Sequence, residues 1–184
     1  MRVLRGGAFG LVILLPSLAV ASLIQALDLA GLTARADRIV IAQVVSAKSE
    51  WDAPRRVIHT RFEIEVEEVW KGSAAGREVI IQPGGTVGDI EMRVHGMPAF
   101  EVGEKAVLFL EGQTAPRVVG MSQGKRSLRW DGATKRWMAE IAEHSAVVRR
   151  DSRGRLQPAQ AEPAMALDEL RERVRMLIST PGKP

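Results

Sequence analysis

The stretch Gly120-Met121-Ser122-Gln123-Gly124 satisfies the G-x-S-x-G pattern of a nucleophile elbow, and Asp131 and His144 come after it in the order that an α/β serine hydrolase uses. In such a site the histidine takes the serine proton and the acid holds the imidazole, so the three groups must converge. The serine must also stand on a sharp turn between a strand and a helix. Here the next residues, Lys125-Arg126-Ser127-Leu128-Arg129-Trp130, read as a strand. That context favours a glycine-flanked β-turn, with a small secreted hydrolase using Ser122 and His144 as the alternative reading.

The other chemistry-bearing residues are sparse. His59, His95 and His144 could join Asp89 or Glu91 around a metal, but no pair has the close spacing of a zinc motif. Glu63, Glu65 and Glu67 are spaced two apart, which makes an acidic stripe on one strand face, more in keeping with solvation than with binding calcium or a basic partner. Gly84-Gly85-Thr86-Val87-Gly88 lacks the lysine and the succeeding helix of a phosphate loop and reads as a flexible turn. The chain has no cysteine, so thiol catalysis, soft-metal ligation and disulfides are excluded. No catalytic, cofactor or metal site is expected.

The elements that would position these residues are set by periodicity. Ser22 to Asp37, with leucines at 23, 27, 29 and 32, suits a short helix. Residues 38 to 46 are β-branched on both faces, as in a strand covered on both sides. Residues 55 to 70 alternate: Ile58, Thr60, Phe62, Ile64 and Val66 point one way, and His59, Arg61, Glu63, Glu65 and Glu67 the other. Further strands are expected at 78 to 81, 90 to 94, 106 to 110, 117 to 121, 126 to 130 and 135 to 141, the last two joined through Asp131-Gly132. Residues 149 to 163 read as a polar linker. Leu167, Leu170, Val174 and Leu177 then fall at helical spacing, with the stripe expected to dock on the β domain.

At the amino end, Arg2 and Arg5 precede the apolar run 8 to 15, Pro16 and the small residues Ala19-Val20-Ala21. This is the pattern of a cleavable signal peptide, with cleavage after Ala21 and export to a periplasm or the medium. The run is too short and too interrupted for a spanning helix, so no membrane span is expected after cleavage. The formal charge of +4 then falls to +2. Residues 22 to 115 hold 10 basic and 14 acidic groups, and 116 to 184 hold 14 and 8. A basic C-terminal third could attract polyanions, but few aromatic residues are present to stack bases, which argues against nucleic acid. The expected organisation is a signal peptide over 1–21, a β domain over 22–148, a linker over 149–163 and a C-terminal helix and tail over 164–184.

Several short strands with glycine turns and no alternating helices predict a mainly β fold, a barrel or a sandwich, with an OB-like Greek-key barrel flanked by a short N-terminal helix and a C-terminal helix preferred to the sandwich. Ala36-Asp37-Arg38-Ile39-Val40-Ile41-Ala42-Gln43-Val44 resembles the opening strand of the inhibitory domain of tissue inhibitors of metalloproteinases and related netrin-like modules. Phe62 to Gly72, ending in Lys71-Gly72, resembles that family's second strand, and Gly103 to Leu110 its glycine-led later strand. The likeness spans about residues 36 to 122. The Ala-Asp-x-Ile-Val pattern at 36 to 40 and the Gly-x-Pro-x-Phe-x-x-Gly-Glu pattern at 96 to 104 are also similar to a set of exported bacterial proteins. The chain departs from the inhibitors where they act: it would begin at Ser22, not at a zinc-binding cysteine, and it lacks their disulfides.

The resulting expectation is an exported, non-enzymatic binding module that engages another protein, with an exported protease as the partner class the resemblance implies. A structural envelope protein docking by residues 164 to 184 is a further alternative. Because loops carry ligand contacts in OB barrels, the expected surface comprises exposed Trp51 in the turn at 49 to 55 and, over 84 to 100, Gly84, Gly85, Thr86, His95, Met97 and Phe100.

Overall fold

The computed structural model describes residues 24–141, 147–150, 155–158 and 162–180; the proposed signal peptide and His144 lie outside them. The chain is mainly β, with a short helix near its start and a second at its end. In order, the elements are β1 (Ile24–Gln25), α1 (Leu29–Arg35), β2 (Arg38–Trp51), β3 (Ile58–Lys71), β4 (Arg77–Pro83), β5 (Gly85–Val87) and β6 (Ile90–Met92). They continue as β7 (Lys105–Glu111), β8 (Arg117–Val118), a 3-10 turn (Met121–Gly124), β9 (Lys125–Asp131) and β10 (Arg136–Glu140). The last are β11 (Val147–Arg150), β12 (Leu156–Pro158), β13 (Met165–Ala166) and α2 (Leu167–Ser179).

The main sheet runs β13-β10-β9-β7-β2-β3-β4, and β8 also pairs with β7, just before β9 takes over the same edge. Its centre is β2, antiparallel to β3 on one side and to β7 on the other. The two faces of this centre bury different cores, which is why residues 39 to 42 are apolar without alternation. Ile39, Ile41, Val107 and Phe109 face one cluster, completed by Leu32 of α1 and by Leu167, Leu170 and Val174 of α2. Val40, Ala42, Val44, Ala106, Leu108 and Leu110 face the other, which Phe62, Ile64, Ile80 and Val118 complete. The sheet is thus covered by helices on one face and bends around a second core on the other. Register shifts in β2 against β3, between Ile39 and Val40, Ile41 and Ala42, and Val44 and Ser46, supply the bulges that allow the bend.

The sequence patterns that carried the family resemblance are fold-holding devices. Asp37 Oδ2 accepts the Gly112 amide at 2.7 Å and its own amide bonds Leu110, so Ala36-Asp37 locks the entry to β2 against the end of β7. Lys71 Nζ donates to the Thr33 and Ala36 carbonyls at 2.7 and 2.6 Å, satisfying the orphan acceptors at the C-terminus of α1. At Gly72, φ is +71°, and a Cβ would run into the Asp37 carbonyl oxygen.

Two boundaries differ from the expectation. The first helix is confined to α1, because Asp28 accepts the Gly31 amide as its N-cap and the chain before it is drawn into parallel pairing with β11. Within the stretch that reads as a linker, β12 pairs antiparallel with β11. Ladder hydrogen bonds are made by the backbone, so a polar sequence can supply them without burying a side chain. The C-terminal stripe docks on the sheet: Leu170 and Val174 are buried, and Arg171 stacks 5.5 Å from the centre of the Trp70 ring while bonding Glu68 at 2.9 Å.

Candidate protein-binding site

The loop residues singled out in the sequence divide between anchors and surface. Gly84 and Gly85 both adopt positive φ, +108° and +131°. The Gly84 carbonyl accepts Thr60 Oγ1 at 2.6 Å, and a Cβ on Gly85 would collide with the hydroxyls of Thr60 and Ser49. The pair lets the chain leaving β4 fold tightly over the far ends of β2 and β3, so Gly84-Gly85 is a pinned corner leading into the β5–β6 hairpin. Thr86, on the β5–β6 hairpin, is exposed. Trp51 is half-buried, not exposed: it ends β2 paired with Ile58, and the turn lies beyond it, where Asp52 Oδ1 caps the amides of Arg56 and Val57.

His95 is exposed and Phe100 is half-buried. The segment between them is strapped down at three residues. The Gly96 carbonyl accepts the Ser122 amide at 2.9 Å, the Pro98 carbonyl accepts Gln82 Nε2 at 2.8 Å, and the Ala99 carbonyl accepts Lys125 Nζ. The Phe100 ring lies 4.9 Å from that of Phe62, with Lys125 Nζ 4.8 Å from its centre. Lys125, whose side chain is only 8 % exposed, pairs with Glu104 at 2.7 Å, and Glu104 also accepts the Ser127 hydroxyl at 2.6 Å. The Gly-x-Pro-x-Phe-x-x-Gly-Glu pattern therefore writes a clamp: an aromatic plug, a buried cation above it and the carboxylate that neutralises the cation.

Met97 opens onto a concavity. Beyond β4 the sheet has no further strand among the described residues, yet β8 comes into contact with β4 without pairing. The seam between them is a groove of about 290 Å³. Ile81, Pro83, Met97 and Met121 supply its apolar walls, Ile80 and Val118 its buried floor, and Arg35, Glu111 and Arg117 its charged rim. Ile81 is 47 % exposed although it sits mid-strand, and β4 presents its outer backbone edge there. Sequence reasoning missed Ile81 and Met121. The available signal was Val79-Ile80-Ile81, apolar on both faces in a short strand where alternation would have placed a polar residue at 81.

The hydrolase reading meets a different context. Ser122 is buried in the 3-10 turn, after Gly120 and Met121 at φ +62° and +64°, and the next element is the strand β9, not a helix. Asp131 ends β9 and is engaged in capping its own turn, while His144 lies outside the described residues. Of the acidic stripe, Glu67 pairs with Lys105 at 2.7 Å. Among the described residues no three histidine, aspartate or glutamate side chains stand together as a metal set, and no helix is long and apolar enough to cross a membrane. No family model matches the chain, and no curated protein matches it.

Proposed function

We propose that this chain is an exported, non-enzymatic protein-binding module on an OB-like Greek-key barrel, and that it receives an extended segment of its partner in the seam between β4 and β8. Three features support the barrel reading. The consecutive strands β2, β3 and β4 form a meander, β7 returns beside β2, and β8 leaves β7 to approach β4. An order in which the fourth strand lies beside the first is that of a Greek key, and a seam that stays open is what a partly open five-stranded barrel leaves. Export rests on the amino-terminal pattern of residues 1–21.

The observation that carries the binding reading is the exposed Ile81 on an unpaired strand edge beside an apolar groove. An edge of this kind offers main-chain hydrogen bonds to an added strand, and the groove offers a pocket for alternate side chains of that strand. An exported protease is the partner class drawn from the likeness to protease inhibitors, though the mode of contact would differ, since no amino-terminal cysteine exists to reach a zinc ion. The test is the Ile81→Arg variant, recovered in parallel with the parent chain from its own envelope and extracellular fractions. The arginine is accommodated at a half-exposed position, so thermal unfolding should be unchanged while the co-purifying protein is lost. Recovery of the same partner by both chains would refute the assignment of the seam.

A further inference from the structure

On the helix-covered face of the sheet, away from the seam, a cleft of about 670 Å³ opens between the β9–β10 hairpin, the start of α1 and residues 162–170. That volume lies within the roughly 300–1,000 Å³ usual for small-molecule sites. Its walls include Leu29, Met138, Met165 and Leu170, and Arg126 reaches it from β9. Arg126 is only 4 % exposed.

Nothing in the packing calls for a cation at this point. Arg126 is paired in register with Val107, and its strand neighbour Leu128 packs against the same apolar cluster. An aliphatic side chain would fill the position without the desolvation penalty that a buried guanidinium incurs. Burial pushes the Arg126 pKa down, opposed by Glu162. A guanidinium carries five N–H donors and suits bidentate capture of a carboxylate, yet among the described residues Arg126 makes one side-chain hydrogen bond, to Glu162 Oε2 at 3.2 Å. Glu162 is itself 43 % exposed and sits at the cleft wall, so its carboxylate can leave Arg126 for water. The other charges around the cleft are engaged elsewhere: Arg173 with Glu169 at 2.6 Å, Arg136 with Asp168 at 3.8 Å, and Asp28 as the cap of α1.

We propose that this cleft binds a small amphipathic carboxylate, whose carboxyl group takes Arg126 in place of Glu162 and whose apolar part lies on Leu29, Met138, Met165 and Leu170. Glu162 is then a tethered competitor that keeps the guanidinium neutralised when the cleft is empty of ligand.

The test is calorimetric titration of the purified chain with decanoate, using decanol and decyltrimethylammonium as probes that keep the chain length and remove or reverse the charge. Saturable one-to-one binding of decanoate, with the two controls weaker by at least about tenfold, is expected. Glu162→Gln, which removes the charge but keeps an amide oxygen able to accept from Arg126, should tighten decanoate by about threefold or more by weakening the competitor. Ala164→Trp, an exposed residue of the cleft wall, should abolish binding by filling the space. Decanol binding as tightly as decanoate, no saturable decanoate binding, unchanged affinity in Glu162→Gln, or retained affinity in Ala164→Trp would each overturn the proposal.

Discussion

At the level of single residues, one group of buried polar side chains holds a loop. Lys125, Glu104, Ser127 and the Ala99 carbonyl form one connected set, with Phe100 beneath the ammonium. Removing one partner of a buried pair leaves the other uncompensated, so Lys125→Ala should cost about 3 kcal/mol or more in denaturant unfolding. The double variant Glu104→Gln with Lys125→Met should cost less than the sum of the two single changes, because both act on one interaction. Gly85→Ala should destabilise by about 2 kcal/mol or more, since the new methyl meets two hydroxyls and the backbone is in a region alanine avoids. A Gly85→Ala protein as stable as the parent would show that the corner is looser than described. This clamp and corner explain how far the binding surface could be read in advance. Glycine, proline and aromatic residues over 84 to 100 signalled a special loop, but the same residue types serve a loop that is tied down and a loop that binds. The deciding facts, the Thr60 and Ser49 hydroxyls under Gly85 and the buried ammonium on Phe100, are contacts over long sequence separation that no local pattern reveals.

Among the elements, strands were legible where one physical constraint dominated. Residues 58 to 66 alternate because one face of β3 is buried and the other is wet, and β2 lacks alternation because both its faces are buried. Ends were less legible: β2 continues to Trp51 through Lys48-Ser49-Glu50, a polar stretch held by pairing with β3 and not by burial. The β9–β10 hairpin was expected from Asp131-Gly132, and it forms by a less local route than a two-residue turn. Asp131 pairs with Arg136 across a four-residue loop, Lys135 takes φ +52°, and Asp131 accepts the Thr134 hydroxyl at 2.6 Å and the Ala133 amide at 3.0 Å. The Thr134 hydroxyl, with the Ala133 amide second, holds the Asp131 pKa below its ordinary value. A depressed folded-state pKa contributes stability that is present above the unfolded value and is lost as pH falls through the folded one. The destabilisation caused by Asp131→Asn should therefore be measurable at neutral pH and fade below about pH 3.8, the ordinary aspartate range. An equal penalty at pH 7 and pH 2.5 would locate the effect in the backbone and not in the carboxylate.

For the whole molecule, the arrangement is one main sheet with two cores beside a small three-stranded sheet and a two-stranded hairpin, and the C-terminal helix belongs to the first core. Leu170 and Val174 lie with Ile39 and Phe109 in that cluster, so α2 is part of the folding unit. Leu170→Ala should lower global stability by about 2–5 kcal/mol and shift a single cooperative transition. A separate, early transition would instead describe a helix that docks late or on something else. The sequence made the mainly β class and the two flanking helices readable, because helix and strand periods differ and glycine turns punctuate them. It could not reveal that β4 and β8 meet without pairing, since that is a contact between elements far apart in the chain that no local pattern encodes. The seam between them is what the proposed function uses, and it can be tested by placing a photo-crosslinking residue at position 81 and, as a control, at position 102, where Val102 is 62 % exposed and does not line the groove. Crosslinking in the native envelope and extracellular fractions should join one protein to position 81 and not to position 102. Equal labelling from both positions, or none from position 81, would contradict the seam as the binding surface.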